Sequence, residues 1–328
     1  MADIKTAIVE DWQTLSPILA TFRIRPLDGT PFPDYVPGQY MALRRDNCRI
    51  TKKVVGADGQ PHYVTEVDAS GNPKRGPVTH SYSIASAPYE TQERGYLEFY
   101  LVLEKDEFGE RGRLSGSFFD MTVPGDDKLT YVNRIVGDFT LDKRANGVRN
   151  VFWVGTGTGL APFLSMIKQL DFQAARGATD GVRYTLLHTN RTYEELGYHE
   201  ELLAIEAAHH LDFLYIPTVS RPTARDFADD GLGKGRANNV LRHMLGMPTK
   251  EEQELRETVA RGEDPTRAQA DLKRTVAPSL PKHVSRSDVE KRLEPTQTVI
   301  LTCGNPSLMS DIKYLADTHG TRFEKEDW

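Results

Sequence analysis

Apolar and polar positions change rhythm partway along the chain. From about residue 5 to 135 the apolar residues fall in short alternating runs broken by Pro and Gly: "TFRIRP", "YMALRR", "HYVTEV", "HSYSIAS", "YLEFYLVLE" and "KLTYVN". Alternation puts successive side chains on opposite faces of a strand, and many short strands separated by turns predict an antiparallel barrel or sandwich. From about 148 onward continuous apolar runs alternate with segments of helical period. They are "VFWV", a helix near 161–175, "RYTLLHT", a helix near 193–209, "LDFLYIPTVS", "TVILTCG" and a helix near 307–318. That order predicts βαβ units around a parallel sheet. The polar stretch "DFTLDKRANGVRN" joins the two textures, so the expected domains are residues 1–147 and 148–328.

Two segments interrupt the pattern. Residues 44–79 hold "DG" and "GNP" turn signals, which predict an extra hairpin in the barrel. Residues 246–296 are highly charged with little apolar periodicity. They predict a solvated helical excursion without chemistry, the sharper alternative being a partner-docking or gating element.

Candidate chemistry sits at the breaks. In "VFWVGTGTGLAPFLSMIKQL" the run Gly155-Thr156-Gly157-Thr158-Gly159 lies between a buried strand and a helix with Phe163, Met166, Ile167 and Leu170 at spacings of three and four. Glycine lets the backbone turn tightly and approach a ligand, and a helix N-terminus offers unpaired N–H groups to a phosphate. The spacing departs from GxGxxG, and no GK[ST] follows, so the stretch alone equally describes a tight turn. In "THSYSIASAP" alternation sets His80, Tyr82 and Ile84 on one face and Ser81, Ser83 and Ala85 on the other. "ERGRLSGSFF" enters a short helix near Ser115 through a Gly-rich turn, a second place for an anion.

Composition narrows the classes. A chain of 328 residues exceeds what one core usually serves, and a net charge of −6 argues against a general nucleic-acid binder. No run approaches the roughly 20 apolar residues of a membrane span, and "MADIKTAIVEDW" lacks the basic and apolar regions of a signal peptide. A cytoplasmic chain is expected. Two cysteines, Cys48 and Cys303, are too few for the four thiolates of an iron–sulfur cluster, which would have to reside on a partner, and no metal site is expected in the chain.

The ordered set "YVPGQY", "HSYSIAS", "FYLVLE", "GRLSGSF", "VPGD", "GTGTGLAPFLSM" and "TCGNPSLM" resembles the ferredoxin-NADP reductase family. Within it the chain is most similar to the bacterial ferredoxin/flavodoxin-NADP(H) reductases, over nearly its whole length outside the two insertions. The resemblance implies an FAD-binding antiparallel β-barrel followed by an NADP-binding α/β domain with a parallel sheet. It implies that Tyr82 stacks on the flavin and that Ser83 lies near its reactive nitrogen. His80 stands where relatives carry an arginine for the FAD pyrophosphate, with Ser81 beside it, and a neutral imidazole offers one donor where guanidinium offers a charged fork. Arg113 is the candidate compensating cation. Tyr100, Leu101 and Val102 would lie along the ribityl and adenine side, and Leu114 and Ser115 at the pyrophosphate.

For the nicotinamide nucleotide the resemblance implies Gly155, Thr156, Gly157 and Gly159 at the pyrophosphate and Thr158 where flavin and nicotinamide meet. Arg191, Ser220, Arg221 and Arg236 match family positions for a 2′-phosphate, which favours NADP(H), because a phosphate calls for arginine. Cys303 and Gly304 follow a buried strand, where open α/β sheets bind ligands. A buried cysteine is also simply a small hydrophobe, but the resemblance puts this one beside the nicotinamide without covalent chemistry. Terminal Trp328 would cover the flavin face as a gate. The implied activity is hydride transfer between NADP(H) and flavin N5, shaped by Tyr82, Ser83, Thr158 and Cys303, then one-electron transfer to a ferredoxin or flavodoxin. The competing readings are a reductase component of a particular oxygenase and a non-catalytic nucleotide-binding subunit.

Overall fold

The computed structural model describes residues 3–55, 61–106 and 109–326, the side chain of Pro61 excepted. The chain divides into two compact units, Met1–Thr140 with Leu164–Gln169, and Leu141–Phe163 with Leu170–Trp328.

The first unit contains β1 (Ile4–Ser16), β2 (Leu19–Pro26), β3 (Tyr40–Arg49), β4 (Thr51–Val55), β5 (Pro61–Thr65), β6 (Arg75–Ser83), α1 (Pro88–Arg94), β7 (Leu97–Val102), α2 (Arg113–Phe119) and β8 (Lys128–Val136). Six of these strands form one antiparallel sheet in the order β6-β3-β8-β1-β2-β7. Just past β6, Ile84 bridges Phe99 of β7, and the Ala85 N–H donates to the Glu98 carbonyl at 2.8 Å. The two edges therefore meet at one end and the sheet is curled. Alternation along the strands sends Phe22, Ile24, Met41, Leu43 and Phe99 inward. Phe22 stacks on Phe99 at 5.5 Å and packs on Phe118 of α2 at 5.3 Å. Full burial of each such side chain is worth about 1.5–3 kcal/mol. The hairpin expected within 44–79 forms, but β4 and β5 pair only with each other and stay outside the barrel sheet. Val55 and Tyr63 of the hairpin are 71% and 52% exposed.

The second unit contains α3 (Leu141–Arg144), β9 (Asn150–Thr156), α4 (Ala161–Ala174), β10 (Arg183–Asn190), α5 (His199–Ala208), β11 (Asp212–Val219), α6 (Ala224–Ala228), β12 (Gly233–Lys234), α7 (Ala237–Met244), α8 (Lys250–Ala260), α9 (Thr266–Arg274), α10 (Arg286–Arg292), β13 (Thr298–Cys303), α11 (Pro306–His319) and β14 (Arg322–Lys325). Its sheet is parallel throughout, in the order β12-β11-β10-β9-β13-β14. Central strands buried on both faces read as continuous apolar runs, as "VFWV" and "TVILTC" do. The helix expected near 193–209 is shorter: Tyr193–Glu195 form a 3-10 turn, Tyr198 takes a left-handed φ of 61°, and α5 starts only at His199. Residues 246–296 are not solvated throughout, which corrects that expectation. Val284, Val289 and Leu293 bury into the core with Ile300 and Leu315, three apolar side chains too sparse to register as a period among charges. No helix among the described residues is long and apolar enough to cross a membrane.

Candidate functional site

All strands of a parallel sheet end at one edge, so the loops after β9, β10, β11, β12 and β13 gather there. The chain runs outward from β9 to β12 and then returns to place β13 on the other side of β9. Strand order reverses between β9 and β13, the position where open α/β sheets leave a crevice. A 3-10 turn over Gly157–Leu160 leads from β9 into α4, so the helical winding begins four residues ahead of Ala161. Its first N–H groups lack acceptors within the turn. The three glycines differ in purpose, which amends the expectation that all of them serve a ligand. A Cβ at Gly159 would stand 2.2 Å from the Cys303 carbonyl oxygen, and one at Gly155 would stand 3.2 Å from Leu160 Cα. Those two make room for the chain itself. Gly157, at φ +54°, has open space around its Cα, and Thr156 and Thr158 on either side are half-buried.

The loops after β10, β11 and β12 bring together Arg191, Ser220, Arg221 and Arg236 around a cavity of about 550 Å³. Arg191 is held by Glu195, its Nε donating to Oε2 at 2.7 Å and its Nη2 to Oε1. Ser220 Oγ donates to the Asn190 carbonyl at 3.1 Å, and the Arg221 N–H to the Arg191 carbonyl at 2.8 Å, so adjacent loops are tied together. Arg236, exposed at the start of α7, lies 3.9 Å from Glu251. Lys250 and Arg274 line the same cavity, and sequence reasoning missed both. They come from the charged segment 246–296, where composition alone does not distinguish a charge facing a site from one facing water. Glycines 155–159, Cys303 and Gly304 do not line this cavity.

Cys303 is the last residue of β13 and is fully buried. Its thiol donates to Glu326 Oε2 at 2.7 Å, and burial together with that carboxylate pushes the thiol well above its ordinary range. Glu326, itself 3% exposed, is a second site neighbour the sequence did not single out, since "RFEKEDW" carries no spacing signal. A Cβ at Gly304 would meet Thr156 Oγ1 at 2.6 Å, so glycine lets the β13 loop lie against the β9 loop. Trp328 lies outside the described residues.

In the first unit, Tyr82 sits half-buried with its ring edge-on to Phe118 at 5.9 Å, and burial with nearby Glu104 raises its hydroxyl pKa. Ser83 is buried, and His80 and Ser81 are exposed. By alternation His80 falls in the row of Val78, Tyr82 and Ile84, yet it is exposed and takes no part in the core they form. Arg113 is exposed at the first position of α2. Three expected contacts need correction. Leu101 and Leu114 both bury in the barrel core, so their side chains are committed to packing and only backbone is left for a ligand. Ser115 Oγ accepts from the Glu104 N–H at 3.2 Å and is 1% exposed, so its hydroxyl faces the protein. Tyr100 is also buried, whereas Val102, at the end of β7, is half-buried. Arg49 and Arg111 flank α2 near Gly116, but each faces a carboxylate, Arg49 at 3.3 Å from Glu110 and Arg111 at 2.7 Å from Asp120.

Residues 153–255 match the oxidoreductase NAD-binding domain family. A flavohemoprotein of Halalkalibacterium halodurans is 24% identical over 226 residues, covering 68% of this chain and 46% of that protein. A flavodoxin/ferredoxin–NADP reductase of Buchnera aphidicola subsp. Baizongia pistaciae is 28% identical over 126 residues, covering 38% of this chain and 43% of that one. The match therefore spans less than half the length of either curated relative. Among solved structures, a ferredoxin NADP+ reductase from Neisseria gonorrhoeae with bound FAD and NADP has a TM-score of 0.57 at 20% identity, covering 99% of both chains. A curled antiparallel sheet followed by a parallel six-stranded sheet is the fold the two chains share.

Proposed function

We propose that the chain is a member of the ferredoxin-NADP reductase family, a flavoenzyme passing electrons between NADP(H) and a one-electron carrier such as ferredoxin or flavodoxin. The observation that carries the nucleotide half of this reading is the gathering of Arg191, Ser220, Arg221 and Arg236 around one cavity. A 2′-phosphate is a compact dianion, and guanidinium groups meet it with charge-assisted paired hydrogen bonds. When both are bound, the nicotinamide and the flavin supply the hydride transfer and the conversion from two-electron to one-electron steps.

The chain's own residues bind and orient. Gly157 and the turn it opens would receive the NADP pyrophosphate through backbone N–H groups, and Thr156 and Thr158 would line its path. Tyr82 would present its ring to the flavin, with Ser83 beside the reacting edge. His80, Ser81 and Arg113 would face the FAD pyrophosphate, and the backbone of Tyr100 to Val102 and of Leu114 to Ser115 the rest of the cofactor. Cys303, kept as a protonated thiol by burial and Glu326, would offer a neutral surface near the nicotinamide rather than a nucleophile. Trp328 would cover the flavin face as a gate, and the carrier protein would hold any iron–sulfur cluster.

A second reading, a reductase component feeding a haem protein or an oxygenase, is favoured by the likeness to flavohemoproteins. One experiment tests both the cofactors and the nucleotide preference: anaerobic visible spectroscopy of the purified protein reconstituted with FAD, titrated with NADPH or NADH. The expected result is a flavin band that bleaches faster with NADPH. A protein that takes up no FAD sinks the reading in favour of a nucleotide-binding subunit. Turnover with ferredoxin or flavodoxin, as against a haem acceptor, separates the first reading from the second.

A further inference from the structure

We propose that α8 and α9 supply an outer half of the 2′-phosphate subsite through Lys250 and Arg274, so that part of the discrimination between NADPH and NADH resides in the charged segment 246–296. The inference rests on the NADP(H) reading above and assigns residues to that same site.

The cavity holds five cationic side chains, Arg191, Arg221, Arg236, Lys250 and Arg274, against the carboxylates Glu251, Glu254 and Asp271. The carboxylates have work within the protein. Glu251 accepts from Asn239 Nδ2 at 2.7 Å and lies near Arg236, and Glu254 sits 3.6 Å from Lys250. Asp271 lies 4.0 Å from Arg267. Arg221 and Arg274 make no side-chain hydrogen bond or ion pair among the described residues, although they line one cavity. Two like charges facing a shared cleft raise its potential, and a dianion between them relieves it.

The segment is also anchored rather than draped. Thr249 caps α8 by accepting from the Glu252 N–H, while Glu252 Oε2 accepts from the Thr249 N–H at 2.8 Å. Asn239, fully buried on α7, accepts from the Lys250 N–H at 2.9 Å while donating to Glu251. Arg242 reaches Gln253 Oε1 at 2.7 Å from the same helix. The backbone of Lys250 is thereby fixed by a buried side chain, while its own side chain lines the cavity with the strand-end arginines. This is the preorganisation a charged group needs if ordering entropy is not to cancel its contribution to binding.

The test is calorimetric titration of the full chain with 2′,5′-ADP and with 5′-AMP, for the wild type, Arg221→Gln, Lys250→Gln, Arg274→Gln and the Lys250→Gln/Arg274→Gln pair. The side chains exchanged are partly or fully exposed, and circular dichroism with a thermal midpoint checks that each variant is folded. Lys250→Gln and Arg274→Gln should each weaken 2′,5′-ADP by roughly 10-fold, the worth of one charge-assisted hydrogen bond, and leave 5′-AMP unchanged. Unchanged 2′,5′-ADP binding in the double variant, with Arg221→Gln impaired, would confine the subsite to the strand-end loops and overturn this inference alone. Equal weakening of both ligands by the double variant would overturn it too, since the segment would then be supporting the fold of the site. A wild type that does not prefer 2′,5′-ADP would remove the NADP(H) reading itself.

Discussion

Gly159 and Gly157 stand two residues apart and answer to different physics. A methyl group at 159 would collide with the Cys303 carbonyl at the end of β13, so either the 3-10 turn or the strand end must shift. Gly159→Ala should cost about 1–3 kcal/mol as overpacking and displace the loop that carries Cys303 and Gly304. Gly157→Ala meets no atom, so only its left-handed φ is charged against it, about 1–2 kcal/mol. Urea unfolding of the two variants, with nucleotide affinity measured alongside, separates the roles: 157 should impair binding beyond its stability cost if the open side is where the ligand lies. A second residue-scale prediction concerns His188. It is fully buried on β10, its Nδ1 lies 3.0 Å from Tyr215 Oη, and burial, with His199 adding a little, pushes its pKa down to about 3. A folded value below the unfolded one, about 6.5, means that below that pH the unfolded chain binds a proton the folded chain refuses. Stability should therefore be fully present above about pH 6.5 and fall, by at most about 1.4 kcal/mol per pH unit, as pH drops toward 3. His188→Leu should flatten the urea midpoint between about pH 6.5 and 4.5, and an unchanged slope would assign the loss to other groups.

At the scale of elements, the second unit depends on one buried junction. Arg242 of α7 donates through Nη2 to Asp311 Oδ1 at 2.7 Å and through Nε to Oδ2 at 3.3 Å, and Asn238 Nδ2 joins at 2.8 Å. Both ionic groups are nearly fully covered, and the same guanidinium extends to the Pro248 carbonyl and Gln253, so α7, α8 and α11 share one charge. Removing either partner leaves an uncompensated buried ion, so Arg242→Ala or Asp311→Ala should destabilise by about 3–5 kcal/mol. Arg242→Met/Asp311→Leu should recover much of that in denaturant titrations, because a well-packed apolar pair bears no desolvation cost. Two losses that simply add would refute the coupling. The elements themselves were largely legible: strands with clear alternation or continuous apolar runs, and α4 and α11 with their spacing of three and four. What was illegible had few apolar residues or depended on distant partners. β14 is four residues long and stands only because β13 pairs with it, and the residues 277–293 are held by three scattered apolar anchors.

For the molecule as a whole, the sequence by itself determined the two textures, the order of the strongly patterned strands and helices, and the motif set on which the family resemblance rests, because period and turn chemistry are local properties of the chain. Arg191, Ser220, Arg221 and Arg236 are singled out by the family resemblance rather than by any local period, and the loops after successive parallel strands set all four around one cavity. Tertiary structure alone decided which side chains remain available to a ligand. Leu101, Leu114 and Ser115 belong to a motif yet turn into the barrel, because a strand or helix buried against a core spends its inward side chains on packing. Conversely, Lys250 and Arg274 carry no motif and still reach the cavity, and Glu326 meets Cys303 across 23 residues of chain. Contacts of that kind depend on how β13, β14 and α7 to α9 are stacked, and the free energy that sets the stacking is spread over buried area from the entire unit rather than written at any one position.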